Sequence, residues 1–226
     1  MRILTISDTH NKHKQIPSAY IDNVDGNFDM IIHAGDFTVG GFQLEAIEFL
    51  EWFSKLPFEH KILIAGNHDF YFDEAPEYAI EALLAQYPQI TYLNDSGCEI
   101  NGFKIWGSPI TLYFHNYAFN KLPWDINEHW DMIPDNTDIL VTHGPIWSYL
   151  DLIDEGYNKG CDRLLEHLPR LKDLKLVVHG HIHEGYGTAV TPEGVMIVNA
   201  SVLNRHNIMW NAPIGVEITK KDGSED

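Results

Sequence analysis

The stretch Lys61-Ile62-Leu63-Ile64-Ala65-Gly66-Asn67-His68-Asp69 decides how the rest of the chain is interpreted. An apolar, β-branched run of this length is typical of a strand buried on both faces, and the glycine lets the backbone turn sharply where the strand ends. Ligands bind at strand ends in α/β sheets, where Asn, His and Asp could supply a metal ligand, a proton donor and an orienting carboxylate. A Gly-Asn turn with an incidental histidine explains the tetrapeptide equally well. The choice therefore depends on the other strand ends.

Four further predicted strands end in polar residues of the same kinds. The strand at 3–6 is followed by Asp8 and His10, and the strand at 30–33 by Gly35-Asp36. The strands at 138–141 and 174–178 lead into Thr142-His143-Gly144-Pro145 and His179-Gly180-His181-Ile182-His183. If the strands are parallel neighbours, all five clusters converge on one rim. Carboxylate, amide and imidazole donors without a thiolate suit divalent manganese, iron, zinc, nickel or cobalt, and they argue against a structural zinc.

The remaining histidines are interpreted as structural or surface residues, because a single histidine is more often one of these than a ligand. This interpretation covers His13, His33, His60, His115, His129, His167 and His206. His179, next to the last cluster, is given the same interpretation.

The composition predicts a single globular domain over 1–219 and a polar tail at 220–226. The chain is 44% hydrophobic and 12% aromatic, with dispersed charges. Its net charge of −18 repels extended nucleic acids and anionic membranes, so an extended polyanion is disfavoured as substrate, whereas a small phosphate ester drawn in by metal ions is compatible with this charge. Cys98 and Cys161 match no disulfide or Cys-x-x-Cys pattern, and no stretch approaches the roughly 20 apolar residues of a membrane span. We therefore expect a cytoplasmic protein; its oligomeric state is left open.

The order of elements predicts an α/β fold, with βαβα first and mostly strands afterwards. Helices are predicted after Gly41, over 78–87 and after Gly160, and a hairpin around Asn101-Gly102. Further strands are predicted at 186–190, 195–198 and 214–218. The apolar residues of the aromatic-rich stretch 110–134 follow neither a helical nor a strand period. We expect this stretch to form a cap over the site, and the alternative is irregular core.

The five polar blocks resemble those of the calcineurin-like metallophosphoesterases: Asp8-Thr9-His10, Gly35-Asp36, Gly66-Asn67-His68-Asp69, Thr142-His143-Gly144-Pro145 and Gly180-His181-Ile182-His183. Within that superfamily the chain is most similar to the metallophosphoesterase-domain-containing branch, which is like the class III cyclic nucleotide phosphodiesterases. The stretches that carry this closer likeness are Gly107-Ser108-Pro109, Gly160-Cys161, 183–187 and Asn199-Ala200-Ser201. The resemblance implies a four-layer α/β/β/α sandwich with a dimetal site at the carboxyl ends of the strands.

The resemblance also implies a role for each site residue. One ion would be held by Asp8, His10 and His183, the other by Asn67, His143 and His181, and Asp36 would bridge them. A hydroxide between the two ions, Mn²⁺ being the first choice, would attack phosphorus. His68 would protonate the leaving group as general acid, and Asp69 would orient His68.

One departure from the superfamily narrows the expected substrate. After Asp36 the chain reads Phe37-Thr38-Val39-Gly40-Gly41, without the second carboxylate and the arginine of the Gly-Asp-x-x-Asp-Arg-Gly block in protein serine/threonine phosphatases. A monoanionic phosphodiester, such as a cyclic nucleotide, is therefore favoured unless Arg205 or Lys12 folds in. Aromatic residues among 106–130 would stack on its base. The alternatives are a phosphomonoesterase or nucleotide pyrophosphatase, or a non-catalytic interaction module with this fold.

Overall fold

The computed structural model describes residues 1–220. Over this range the chain forms thirteen strands: β1 (Arg2–Ile6), β2 (Met30–Ala34), β3 (His60–Ile64), β4 (Ile90–Tyr92), β5 (Ser96–Ile100), β6 (Phe103–Ser108), β7 (Thr111–Leu112), β8 (Asn120–Lys121), β9 (Ile139–Thr142), β10 (Leu176–His179), β11 (Gly187–Val190), β12 (Met196–Asn199) and β13 (Ile214–Glu217). The α-helices are α1 (Ser18–Ile21), α2 (Gln43–Ser54), α3 (Phe70–Glu74), α4 (Glu77–Leu84), α5 (Asn127–Asp131) and α6 (Asp162–His167). Short 3₁₀ turns occur at His13–Gln15, Leu168–Arg170 and His183–Gly185.

Two large mixed sheets form the centre of the fold. The first has the order β13-β1-β2-β3-β4, and the second has the order β11-β12-β10-β9-β6-β5. β1, β2, β3 and β4 run parallel to one another, as do β12, β10, β9 and β6. The outer strands β13, β11 and β5 are antiparallel to their neighbours.

Successive residues of the central strands pack on opposite faces, as the two-residue period of a strand requires. Ile3, Ile32 and Ile62 of the first sheet pack against side chains of the second, such as Val141 and Val178, and form the core between the sheets. The residues that alternate with them point outward into a second core, which contains Phe49, Leu50 and Phe53 of α2 and Leu164 of α6. Both sheets are therefore covered on their outer faces by helices.

The predicted α/β fold class is confirmed. The hairpin around Asn101-Gly102 is antiparallel, with Ile100 opposite Phe103. The structure corrects one geometric assumption: the five strands that carry the polar clusters are not neighbours in a single sheet, because β9 and β10 belong to the second sheet. Within residues 1–220, no helix has the length and apolar character that a membrane crossing requires. Except for Lys220, the predicted polar tail lies outside the described residues.

The aromatic-rich stretch 110–134 is divided between core and site. Trp130 is buried with 1% of its surface exposed, and Trp106 just before the stretch is buried as well. Phe114 and Tyr117 instead line a cleft that also contains His68 and His181. Part of the stretch therefore borders the cleft, as the cap prediction required, and part of it is core.

Candidate metal centre

The carboxyl ends of strands from both sheets meet at one edge of the sandwich. Ser7, just after β1, forms an isolated parallel bridge with Ser201, just after β12. The imidazole Nδ1 of His143 lies 2.8 Å from the carbonyl oxygen of Ala34, so the loop after β9 is tied to the end of β2. These contacts bring the clusters of both sheets into one cleft.

The first group of donors comes from both sheets. Asp8 follows β1, and its carboxylate is fully buried. The Nε2 atom of His183 lies 3.5 Å from Oδ1 of Asp8. Single donor atoms of Asp8, His10 and His183 all lie within 4.8 Å of one another. This is the trio predicted for one ion.

The second group converges on the amide oxygen of Asn67, which follows β3. This oxygen lies 2.9 Å from Nε2 of His143 and 2.7 Å from Nδ1 of His181. His143 is fully buried and Asn67 is 4% exposed. Here too the structure brings together the three residues predicted for an ion.

Asp36 lies between the two groups. Its Oδ2 atom is 3.3 Å from Nε2 of His143 and 3.7 Å from Nε2 of His10. Its other oxygen, Oδ1, accepts a hydrogen bond of 2.7 Å from the backbone N–H of His68. A carboxylate in this position can contact both groups, as the predicted bridge requires.

The protonation pattern of the histidines fits cation binding. The Nδ1 atoms of His10, His143 and His183 face the backbone carbonyls of Thr38, Ala34 and Asn204 at 2.8–3.0 Å. Because a carbonyl only accepts, each Nδ1 carries a proton, and each Nε2 is the nitrogen that faces the cleft. Loss of the proton from Nε2 leaves a lone pair that points at the donors of the cleft. A divalent cation can take the place of that proton, so the donor set fits divalent metals.

The pKa values of the cleft differ from one side chain to the next, because the effects of burial and of the neighbouring charges are balanced differently at each of them. Burial alone would raise the pKa of Asp8, but its hydrogen bond to His183 and the surrounding histidines hold it well below its usual range. Burial would lower the pKa of His143, yet the carboxylates of Asp36 and Asp8 raise it to about 9. Burial and the neighbouring His143 lower the pKa of His181 to about 4, which keeps this imidazole in its ligating form.

The backbone is strained at several of the predicted ligands. Asp8, His10, Asp36 and His181 all have positive φ values, between 38° and 68°. Residues other than glycine rarely adopt this conformation, and such strain is concentrated at functional sites. The backbone at Gly180 lies directly against the Asp8 carboxylate, and only glycine fits there, since a Cβ would lie 2.1 Å from Oδ2 of Asp8.

The hydrogen bonds of Asp69 connect it to the loops after β2 and β3. Its buried carboxylate accepts hydrogen bonds from the backbone N–H groups of Asp36, Thr38 and Gly66 at 2.7–2.9 Å, and from the Thr38 hydroxyl at 2.7 Å. Burial and the charge of Asp36 raise its pKa to about 7, against the effect of these hydrogen bonds. Its contacts therefore hold the loops after β2 and β3 together rather than orienting His68.

His68 is oriented by another group, the backbone carbonyl of Val39. Its Nδ1 lies 2.9 Å from this oxygen. The ring is partly exposed and packs edge-on against His10, with 4.7 Å between the ring centroids. On another side lies the ring of Tyr117, at 4.9 Å. Because Nδ1 is engaged, Nε2 is the atom that can give or take a proton.

Sequence reasoning missed Ser201 as a site residue. Its hydroxyl donates a hydrogen bond of 2.6 Å to Oδ2 of Asp8, and the backbone N–H of His181 donates to the same carboxylate at 3.0 Å. Asn199-Ala200-Ser201 lies at the end of β12, so the pattern of a strand leading into polar residues was present there as well. That pattern could have identified it.

The cleft at the two donor groups contains no lysine or arginine among its lining residues in the described range 1–220: His10, Asp36, Asn67, His68, Phe114, Tyr117, His181, Ile182, His183 and Asn207. Neither Arg205 nor Lys12 lines this cleft. The guanidinium of Arg205 pairs with Asp154, and the Lys12 ammonium donates to the backbone carbonyl of Asn207. Bound divalent cations would supply positive charge for a phosphate at this cleft.

Comparison with known proteins identifies the family. A family model described as calcineurin-like phosphoesterase matches residues 1–185. The chain belongs to this family. As a calcineurin-like phosphoesterase with grouped metal-ligating side chains, it is a metal-dependent phosphoesterase.

Related proteins align with nearly the whole length of this phosphoesterase. It is 36% identical to metallophosphoesterase domain-containing protein 1 of Homo sapiens, over 96% of this chain and 71% of the relative. It is 31% identical to a UPF0046 protein of Caenorhabditis elegans, over 98% of this chain and 76% of that protein. The crystal structure of TT1561 from Thermus thermophilus has the same fold, with a TM-score of 0.62, 14% identity and 88% coverage of both chains.

Proposed function

We propose that this phosphoesterase holds two divalent ions and hydrolyses small phosphodiesters, with cyclic nucleotides as candidate substrates. The single observation that carries the preference for diesters is the composition of the cleft, whose lining residues within 1–220 contain no lysine or arginine. A phosphomonoester is a dianion near neutral pH, and its second charge favours a bidentate arginine or a similar cationic side chain. A phosphodiester has a single negative charge, which the metal ions can neutralise.

The ligand assignment in this proposal follows the two donor groups. Asp8, His10 and His183 would hold one ion, Asn67, His143 and His181 would hold the other, and Asp36 would contribute to both. The donors are oxygen and imidazole nitrogen without thiolate, a set that suits Mn²⁺ as well as Fe, Zn, Ni and Co, and Mn²⁺ is the ion proposed first. Divalent ions at these residues would lower the pKa of coordinated water and polarise the phosphoryl oxygens.

The residues of the chain supply proton transfer and support. His68, with Nδ1 on the Val39 carbonyl, presents Nε2 to the leaving oxygen as general acid. Asp69 holds the backbone of Asp36 and Gly66, and Ser201 holds the carboxylate of Asp8. The net charge of −18 supports a small phosphoester rather than an extended nucleic acid or a membrane as partner, and a cytoplasmic location remains part of the proposal.

The experiment is a comparison of two substrates. Metal-stripped protein refilled with Mn²⁺ is assayed on bis(4-nitrophenyl) phosphate and on 4-nitrophenyl phosphate, which share a leaving group but differ in charge. We expect the diester to be hydrolysed with the higher kcat/KM. Preference for the monoester would replace the proposal with a phosphomonoesterase. The absence of any metal-dependent rate, with Mn²⁺ or with Fe, Zn, Ni or Co, would favour the non-catalytic interaction module.

A further inference from the structure

A second cavity, of about 700 Å³, opens beside the metal cleft. It is formed by the segments 110–114, 144–147 and 153–161, and we call it the aromatic pocket. Phe114, His181 and Ile182 line both the aromatic pocket and the metal cleft. The two spaces therefore share a wall, and a molecule bound at the metal ligands can extend directly into the pocket.

Aromatic side chains dominate the walls of this pocket. Tyr113, Phe114, Trp147 and Tyr157 all line it and are between 41% and 66% exposed, which is unusual for large apolar side chains grouped at one place. The buried ring of Trp130 lines it from the core side. Such walls favour a flat, apolar occupant.

Charged groups lie only around the exposed parts of the pocket. The charged lining residues within the described range are Glu155, Lys159 and Glu184, and all three are exposed. Two carboxylates against one ammonium disfavour a strongly anionic occupant. The part of a ligand that enters this pocket should therefore be uncharged.

The proposed general acid, His68, belongs to the metal cleft. His68 and Tyr117 line the metal cleft but not the aromatic pocket. A general acid must be within hydrogen-bond reach of the oxygen that it protonates. With the leaving oxygen of a bound diester at His68, the other substituent can pass the shared residues Phe114, His181 and Ile182 into the aromatic pocket.

We propose that the aromatic pocket binds the retained substituent of the phosphodiester, and that this substituent is an uncharged aromatic group. This inference rests on the proposed function. In the reaction, an oxygen from water bonds to phosphorus, the P–O bond to the leaving group breaks, and His68 gives its proton to the departing oxygen. In a linear diester the bond to the retained substituent stays intact, and that group remains in the pocket with the product. In a cyclic nucleotide both ester oxygens belong to one sugar, and the aromatic group in the pocket is the base.

The test uses two substrates that differ only in the retained group: 4-nitrophenyl phenylphosphonate and 4-nitrophenyl methylphosphonate. Both are monoanions with the same leaving group, and the P–C bond keeps phenyl or methyl on phosphorus. We expect kcat/KM of the Mn²⁺-loaded protein to be about tenfold higher for the phenyl compound, from the burial of the ring. Trp147→Ala and Tyr157→Ala should each lower this ratio towards one.

Trp124→Ala is the matched control. Trp124 is 74% exposed and is not among the residues that line either cavity. This variant should leave the phenyl-to-methyl ratio at its wild-type value. A ratio near one in the wild-type protein, or a ratio that falls as much in Trp124→Ala as in Trp147→Ala, would overturn the assignment of the pocket.

A binding measurement separates this inference from the proposed function. Calorimetry on the Mn²⁺-loaded protein compares phenylphosphonate with methylphosphonate, and no turnover is needed. If neither ester is hydrolysed, the proposed function fails, while tighter binding of phenylphosphonate that is lost in Trp147→Ala still supports the pocket. Equal binding of the two phosphonates would contradict the pocket even if both esters are hydrolysed.

Discussion

The Oδ2 atom of Asp36 lies 3.3 Å from Nε2 of His143, and this contact joins the two sheets of the fold at the metal centre. Asp36 follows β2 in the first sheet, whereas His143 follows β9 in the second. The same carboxylate oxygen faces His10 of the first donor group at 3.7 Å. Loss of the Asp36 carboxylate should therefore weaken the binding of both ions.

Asp36→Asn should lower the content of both metal ions. The amide keeps the size of the side chain but removes the negative charge between the two groups, and charged oxygen donors dominate the binding of hard divalent cations. Metal content after dialysis, measured by mass spectrometry, should fall well below two ions per chain.

The control for this variant is Asp25→Asn, which changes the same kind of residue at an exposed position. It should retain the wild-type metal content. If Asp36→Asn keeps two tightly bound ions, Asp36 does not bridge them.

His68→Asn should slow the reaction most for poor leaving groups. A general acid contributes about 10²–10⁴-fold when the departing oxygen needs a proton, and less when the leaving group is already a stable anion. The loss of kcat should therefore be larger on methyl phenyl phosphate than on methyl 4-nitrophenyl phosphate, while the metal content is unchanged.

His206→Asn serves as the control, because His206 is exposed and is not among the residues that line the cleft. It should behave like the wild type on both esters. An equal loss on the two substrates in His68→Asn would remove His68 from the role of acid.

Much of the fold and of the site could be predicted because the informative signals are local. Each strand that carries a ligand is a short apolar run, and each ligand follows within a few residues. Gly66 and Gly180 mark places where the backbone approaches Asp36 and Asp8 so closely that a Cβ would lie 2.3 Å or less from a carboxylate oxygen. Such a requirement is visible in the sequence as a glycine at a strand end.

The remaining features depend on contacts between distant segments. The division of the five strands between two sheets follows from how their faces pack, and the apolar runs of β3 and β9 look alike in sequence. The aromatic pocket brings together Tyr113, Trp147 and Tyr157, which come from segments whose sequences have neither helical nor strand periodicity. The contacts of Asp69 could not be predicted from its position beside His68, because its carboxylate accepts hydrogen bonds from the backbone of Asp36 and Gly66, which are brought to it by the fold.

Asp69→Ala should destabilise the protein without changing its response to the leaving group. Removal of the carboxylate leaves buried backbone donors of Asp36, Thr38 and Gly66 unpaired, at about 1–3 kcal/mol for each unsatisfied group. Urea unfolding of the metal-stripped protein should show a loss of roughly 3 kcal/mol or more. If Asp69 instead oriented His68, its variant would be as stable as the wild type and would show the leaving-group dependence of His68→Asn.

His13 should make the protein less stable as the pH falls from 7 to 5. Its ring is 1% exposed, packs against Phe49 and Trp52, and has no hydrogen-bond partner for either nitrogen in the described part of the chain. Burial lowers its pKa from 6.5 to about 4. At pH 5 the unfolded chain therefore binds a proton that the folded chain does not bind, which costs about 1–2 kcal/mol of stability.

His13→Leu should remove that part of the pH dependence. The difference between the free energies of unfolding at pH 7 and pH 5, measured in urea on metal-stripped protein, should shrink by about 1–2 kcal/mol. His206→Leu, at an exposed position, should leave the difference unchanged. An unchanged difference in His13→Leu would mean that His13 has the same pKa in both states.

The central claim, two metal ions acting together on a phosphodiester, is tested most directly by titrating metal-free protein with Mn²⁺ while following the hydrolysis of bis(4-nitrophenyl) phosphate. The two donor groups that share Asp36 predict a rate that rises until two equivalents have been added and then stays constant. A rate that is complete at one equivalent, or no rate at any Mn²⁺ concentration, would contradict a manganese-dependent dimetal phosphodiesterase.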